Sequence, residues 1–404
     1  METLITLMRI PCSSRSMSTL YSAIPCSSRS MSASSIKPPS FFSSLSRYSS
    51  PPPSSSSFIS DSRNFISSKN IFPKVSMSHQ QNRHLTSVSD SVTPDRPQGS
   101  SFQGGESFFR CILASMEAIY LSRNPTAKSI LELVHSVDNE HICYDHFAFR
   151  TFGVNGHGID SMAGLFLDFG YVQREELRFP AKKLKAFWFS PPKVQSSDGG
   201  AGVNGPLPRI FISELLVDEL SPQAQEIIRR YTAQSNNGNK HASLASCLGS
   251  LTWEKPSYAE FLQLASESEY AAWTLVNGYA LNHLTVSTHR LKSHLRSIKN
   301  LNQFIEENGY KLNSEGGILK VSPDGLLLQS STVADSVAFH FADGIESSVP
   351  CSYIEFAERL ILHQYKNLPE KEVKEFHRRD GFEVGNADKI FESTSSDQLT
   401  RRSA

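Results

Sequence analysis

Tyr144-Asp145-His146-Phe147-Ala148-Phe149-Arg150 alternates with the period of a β-strand. His146, Ala148 and Arg150 fall on one face, Phe147 and Phe149 on the other. Two later runs have the same character. In Asn282-His283-Leu284-Thr285-Val286-Ser287 the polar face carries His283, Thr285 and Ser287, opposite Leu284 and Val286. In Ser352-Tyr353-Ile354-Glu355-Phe356, Glu355 is directed away from Ile354 and Phe356. Two imidazoles and one carboxylate on polar strand faces are the donor set of a 2-His-1-carboxylate iron site. A single histidine on a strand is more often a packed core or surface residue. The repeated setting of all three donors is what singles them out.

Around these runs the chain repeats itself. Residues 143–152 read as a strand and 159–169 as a helix closed by Gly170, a residue type suited to the position after a helix. Strands are expected at 171–179, 184–190 and 207–215. The second half keeps the order: a strand at 280–288, an amphipathic helix over 291–308 closed by Gly309, short strands near 318–321 and 325–331, then strands at 336–342 and 350–357. Each half is therefore a βαβββ module with a histidine on its first strand and a glutamate on its last. His146 and Glu214 are 68 positions apart, His283 and Glu355 72. Such repetition implies two modules pairing to enclose one cleft. The expected fold class is α+β, as one elaborated domain over 105–394. Module one spans about 140–216, a helical insertion about 217–279 with an amphipathic helix at 258–275, module two about 280–360, and a C-terminal extension 361–394.

Two βαβββ modules with metal ligands on first and last strands resemble the vicinal oxygen chelate superfamily. More narrowly, His146-Phe-Ala-Phe-Arg150, Pro208-Arg-Ile-Phe-Ile-Ser-Glu-Leu215, Asn282-His-Leu284, Leu328-Gln-Ser-Ser-Thr332 and Val349-Pro-Cys-Ser-Tyr-Ile-Glu-Phe356 resemble the 2-oxoadipate dioxygenase/decarboxylase family. That family is also called 2-hydroxyglutarate synthase, and the similarity covers roughly 107–394. The resemblance implies Fe(II) held by His146, His283 and Glu355, with Arg150 contacting a substrate that also lies beside both histidines. It further implies conversion of 2-oxoadipate and O2 to 2-hydroxyglutarate and CO2 in lysine catabolism. No external 2-oxo acid is then needed, because the substrate supplies the electrons.

The residues carry part of this chemistry on their own terms. A facial triad leaves three coordination positions open, which suits a bidentate 2-oxo acid and O2. Arg150 lies four residues beyond His146, roughly 13 Å along a strand, and its long side chain reaches back over part of that span. Its planar fork suits a carboxylate, and either carboxylate of the substrate remains open to it. Glu214 is the rival to Glu355, placed by the module repeat at the matching last-strand position. Isomerases of the resembled superfamily draw ligands from both such positions, its oxygenases from two His and one Glu. Glu355 is accordingly assigned to the triad, while Gln329, Ser331 and Glu214 are expected at the cleft or just behind the ligands. His340, between Phe339 and Phe341, is expected to face the cleft without being a ligand; His289 and His294 are expected to be exposed. A glyoxalase-like isomerase, an extradiol dioxygenase, and a binding protein without turnover remain as alternatives on this scaffold. Arg150 favours a dicarboxylate over a catechol, and the intact donors argue against lost turnover.

The chain has 40 basic and 40 acidic residues, unevenly spread. Residues 1–78 hold eight Lys/Arg against Glu2 and Asp61, leaving 32 basic and 38 acidic for the rest, about −6. An acidic body disfavours nucleic acid as partner. The basic, Ser-rich head carries Pro-Cys-Ser-Ser-Arg-Ser-Met-Ser twice, from Pro11 and Pro25, and buries too little to fold. Its composition is that of an organelle transit peptide over 1–78, with plastid favoured over mitochondrion. A flexible linker at 79–104 and a disordered tail at 395–404 are expected. No stretch suits a membrane span. The six cysteines lack C-x-x-C spacing, which disfavours a zinc site or disulfide framework. The glycine runs lack the context and lysine of a phosphate loop, and no G-x-S-x-G elbow is present.

Overall fold

The computed structural model describes residues 100–139, 142–192, 200–235 and 238–400. The leader expected at 1–78, most of the expected linker and residues 401–404 lie outside the described residues. Two helices, α1 (Ser100–Arg123) and α2 (Pro125–Asp138), come first. Module one follows as β1 (Tyr144–Phe152), α3 (Ile159–Asp168), β2 (Val172–Phe179), β3 (Leu184–Ser190) and β4 (Arg209–Leu215). The insertion holds α4 (Pro222–Thr232), α5 (Gly238–Leu248), α6 (Tyr258–Glu267) and α7 (Glu269–Asn277). Module two runs β5 (Leu281–Ser287), α8 (Ile298–Glu307), β6 (Lys320–Val321), β7 (Leu327–Ser331), β8 (Ser336–His340), β9 (Glu346–Pro350) and β10 (Tyr353–Arg359). Helices α9 (Val384–Ile390) and α10 (Ser396–Thr400) are the last among the described residues.

Eight strands make one sheet, ordered β2-β3-β4-β1-β5-β10-β7-β6. The modules meet where β1 and β5 pair antiparallel, His146 opposite Thr285 and Ala148 opposite His283. This pairing is a local two-fold: each histidine faces the residue two beyond the other. Both central strands are buried along their whole length, so alternation there separates a polar cleft face from an apolar face, with water reaching neither. Phe147, Phe149, Leu284 and Val286 pack on the apolar side within the main core. Gly170 and Gly309 end α3 and α8 at φ +82° and +83°, which side chains with a Cβ rarely adopt.

Several elements depart from expectation. The helix expected over 258–275 breaks at Ser268, which is extended (φ −149°, ψ 104°) and caps α7 by accepting from the Ala271 N–H at 3.2 Å. The helix expected over 291–308 begins only at Ile298, because the buried Asp138 carboxylate accepts from the backbone of Lys292 and Ser293 and holds two short 3₁₀ turns there. The strand expected at 336–342 is not in the main sheet. A turn ending at Gly344 (φ +81°) folds β8 back onto β9 as a separate hairpin, so β10 takes the last sheet position of module two. The expected linker is helical from Ser100, continuous with the turns that bury Phe109, Leu113 and Met116. The tail expected to be disordered is ordered as far as Thr400. Gln398 is buried there, its carbonyl accepting from Lys311 Nζ at 2.8 Å and its amide oxygen from Ser314 N–H at 3.2 Å.

Candidate metal centre

The register brings the three donors together. His283 pairs with Tyr353 across β5 and β10, so Glu355 stands beside Thr285, which in turn faces His146. His146 Nε2 and His283 Nε2 are 3.3 Å apart, and Glu355 Oε2 lies 3.0 Å from His283 Nε2 and 3.6 Å from His146 Nε2. All three side chains are buried, and one ligand atom from each falls within 4.8 Å of the others. This is the convergence expected of His146, His283 and Glu355.

The neighbours of these donors decide what the cluster fits. Asp145 Oδ1 accepts from His146 Nδ1 at 2.9 Å, and Asn282 Oδ1 from His283 Nδ1 at 3.0 Å. With a proton fixed on each Nδ1, both Nε2 atoms face each other and a carboxylate, with the Thr285 hydroxyl 3.0 Å from His146 Nε2. Three donor atoms so closely gathered suit a cation. Gln329 donates to Glu355 Oε1 at 2.7 Å, leaving Oε2 for the centre, and Asn386 on α9 donates to the Gln329 amide oxygen at 3.0 Å. Donor types, tautomers and burial all fit a divalent metal of the facial-triad kind.

The electrostatics agree. Burial pushes His283 down to about 4 despite the adjacent carboxylate. Burial alone would raise Glu355, but the two imidazoles hold it at about 2. Burial opposes charge on His146 as well, yet Glu355 and Asp145 raise it above its ordinary value. Behind it, Asp145 is fully enclosed: Arg359 Nε lies 2.6 Å and Arg209 Nη1 3.5 Å from its Oδ2. Burial would raise that carboxyl, and the two guanidiniums reverse the effect and hold it well below the carboxylate range.

Arg150 is also buried but has no ion pair among the described residues. Its Nη1 donates to Thr394 Oγ1 at 3.1 Å and its Nη2 to the Phe391 carbonyl at 3.3 Å. The rings of Tyr270 and Trp273 lie 5.0 Å from the guanidinium carbon. Arg150 lines a cavity of about 200 Å³, while the triad opens on one of about 20 Å³ walled by Phe211, Phe382 and Ile390. Phe391 belongs to both walls.

Other expected site residues are placed elsewhere. Glu214 does not occupy the position equivalent to Glu355. In the parallel register of β1 and β4, the residue beside His146+2 is Phe211, whereas Glu214 pairs with Thr151. An odd offset turns Glu214 to the opposite face, where Oε2 accepts from the Ile159 N–H at 2.7 Å at the start of α3 and Oε1 pairs with Lys185 at 2.8 Å. Ser331 sits opposite Glu355 on β7, but its hydroxyl is 2.8 Å from Ser393 Oγ and ties down the C-terminal segment. His340 is exposed on the hairpin beside Glu346, and His289 is buried against Glu375 rather than exposed. Asp145, Asn282, Phe211, Tyr353 and Asn386 went unread in the sequence. For the first two a signal existed: each ligand histidine is directly preceded by a side chain bearing an acceptor oxygen.

Paired βαβββ modules around a buried two-histidine, one-carboxylate cluster define a protein of the vicinal-oxygen-chelate-like class with a site able to hold a metal. Residues 112–375 match the family model described as 2-oxoadipate dioxygenase/decarboxylase, and the chain belongs to that family. It is 68% identical over 327 residues to the chloroplastic/amyloplastic 2-oxoadipate dioxygenase/decarboxylase of Oryza sativa subsp. japonica, covering 80% of this chain and 89% of that one. It is 69% identical over 303 residues to the chloroplastic enzyme of that name from Arabidopsis thaliana, covering 75% and 82%. The crystal structure of hydroxyglutarate synthase from Oryza sativa in complex with 2-oxoadipate is 70% identical, with TM-score 0.74, over 78% of this chain and 100% of that one. A glyoxalase superfamily protein from Ralstonia eutropha shares the fold at 19% identity and TM-score 0.51, over 74% and 92%.

Proposed function

We propose that this chain is an Fe(II)-dependent dioxygenase/decarboxylase that converts 2-oxoadipate and O2 to 2-hydroxyglutarate and CO2 in lysine catabolism, within the plastid. The observation that carries the reading is a buried arginine, without an ion pair among the described residues, beside a metal-ready triad, in a family of that activity. The atoms balance: one carboxyl leaves as CO2, one oxygen atom enters the new carboxylate and the other the hydroxyl. A bound iron would supply O2 activation and chelation of the 2-oxo acid end.

The protein's own groups do the rest. His146, His283 and Glu355 offer three donors on one side, each oriented by a neighbour, and leave the cleft side clear. Phe211 contributes no fourth donor where the isomerases of the scaffold draw one, which disfavours that alternative. Phe211, Phe382 and Ile390 keep water from the reacting end. Arg150 supplies the positive charge a dicarboxylate requires, and a catechol would leave it uncompensated. The basic, Ser-rich leader and the names of both plant relatives support the plastid. The test is iron content and oxygen uptake: iron-loaded protein should consume O2 with 2-oxoadipate and release CO2 and 2-hydroxyglutarate in equal amounts. His283→Ala should lose both bound iron and uptake with its circular dichroism unchanged. Product formed without O2, or no uptake with iron and substrate present, rejects the proposal.

A further inference from the structure

Buried polar atoms without a hydrogen-bond partner are uncommon in a folded chain and call for a reason. Two of them belong to residues that line the two neighbouring cavities: Nε of Arg150, at the larger one, and the hydroxyl of Tyr353, at the triad. Tyr353 lines the triad cavity and stacks on His283, with ring centroids 4.7 Å apart and planes 24° from parallel. Its backbone carbonyl is taken by Tyr120, so its place in the strand is fixed while its phenol is left without a partner. The phenol oxygen and the Arg150 guanidinium lie within contact of each other but out of line for a full hydrogen bond, and the phenol's own proton has no acceptor. Nothing apolar needs a hydroxyl there; phenylalanine would stack on His283 equally well.

Resting on the dicarboxylate reading above, we propose that the Tyr353 hydroxyl and Arg150 together bind the substrate carboxylate remote from the metal, making Tyr353 a determinant of specificity for 2-oxo dicarboxylic acids. The size of the cavities supports this division. About 20 Å³ at the triad is the room of a single water, whereas about 200 Å³ beside Arg150 takes a small organic molecule. A substrate reaching from one to the other passes Phe391, the wall they share, and sets its far carboxylate between the phenol and the guanidinium. One O–H donor and one N–H donor then gain the acceptor they lack.

Tyr353→Phe removes one oxygen and keeps the ring on His283. Binding of 2-oxoadipate to the iron-loaded full chain is measured by calorimetry without O2, alongside 2-oxohexanoate, which has the same chain but no far carboxylate. The variant should bind 2-oxoadipate about ten- to a hundredfold more weakly, the strength of a hydrogen bond to a charged group. Its affinity for 2-oxohexanoate and its iron content should be unchanged. Equal losses for both acids, or no loss for either, overturn the assignment. Arg150→Lys, which keeps a charge but lacks Nε, gives a second arm: its penalty for 2-oxoadipate should be less than additive with that of Tyr353→Phe, and full additivity overturns a shared carboxylate. Failure of the wild type to take up O2 would instead reject the oxygenase reading.

Discussion

Asp145→Asn separates the two tasks of a fully enclosed carboxylate. The substitution keeps an acceptor oxygen for His146 Nδ1 and removes the charge. Arg359 is fully buried, with Nε 2.6 Å from Asp145 Oδ2 and Nη2 2.9 Å from Oδ1; its other bonds run to the Arg379 and Gly381 carbonyls. Removing one partner of such a pair leaves an uncompensated buried cation, which costs about 3–5 kcal/mol. Arg209 eases this little, since it is a second cation facing the same lost charge. The loss should appear in urea unfolding of the metal-free protein at neutral pH. The pH dependence follows from the sign of the shift. The folded-state pKa of Asp145 is depressed, so its contribution is complete above the unfolded value near ~3.9 and fades as pH falls through the folded value. The stability gap between wild type and variant should therefore close on acidification. The effect on the metal is separate and smaller: His146 would then have a neutral acceptor behind it, as His283 already has in Asn282. Metal affinity should fall about tenfold, at the lower end for groups that orient a ligand histidine. A variant within about 1 kcal/mol of wild type would refute the buried-pair account. Unchanged metal affinity would refute the role of the charge behind His146.

Glu214→Ala tests whether that carboxylate is structural. It should cost about 1–2 kcal/mol through loss of the α3 N-terminal acceptor and the Lys185 pair, with metal content and oxygen uptake per folded molecule unaltered. Phe211→Glu places a fourth carboxylate where the register puts the counterpart of Glu355. The metal-free protein should lose about 3–5 kcal/mol to an unpaired buried charge. Divalent metal should restore most of that loss, and oxygen uptake should fall as an open coordination position is filled. Metal-dependent melting curves that match those of the wild type would show that residue 211 does not reach the centre.

The donors were legible in the sequence because alternation identifies a face, and a polar face on a run otherwise apolar is informative even where both faces are buried. For His146, His283 and Glu355 the repeated setting of the three runs added the rest, and the family resemblance set Glu355 above Glu214. Glu214 shows where this reasoning stops. Counting from the histidine to a last-strand glutamate gives nearly equal spans in the two modules, 68 and 72, but loop lengths contribute to those counts and register does not follow from them. Since a strand's side chains change face at every residue, an offset of three from the equivalent position sends a carboxylate to the other side of the sheet. The C-terminal segment was harder still. Asn386, Phe391 and Thr394 reach the site from a polar, weakly patterned stretch, and only the folded chain shows that Gln329 and Arg150 bond to them.

The asymmetry between the modules carries the chemical consequence. A two-fold scaffold with donors at both equivalent positions would surround its cation and leave little room for reactants. Here the local two-fold holds for the histidines and for the acceptors behind them, and fails at the last strand, where Glu355 faces Phe211 across the centre. An aromatic wall in place of a fourth donor would leave coordination positions of a bound metal free and dry the side on which they open. The same asymmetry extends outward: Arg150 of module one has no carboxylate ion pair among the described residues, while its pseudo-symmetric counterpart, Ser287 of β5, is a small hydroxyl buried near His289. On the proposed reading, a buried guanidinium on one side of the triad and no counterpart on the other would orient a substrate with two acidic ends.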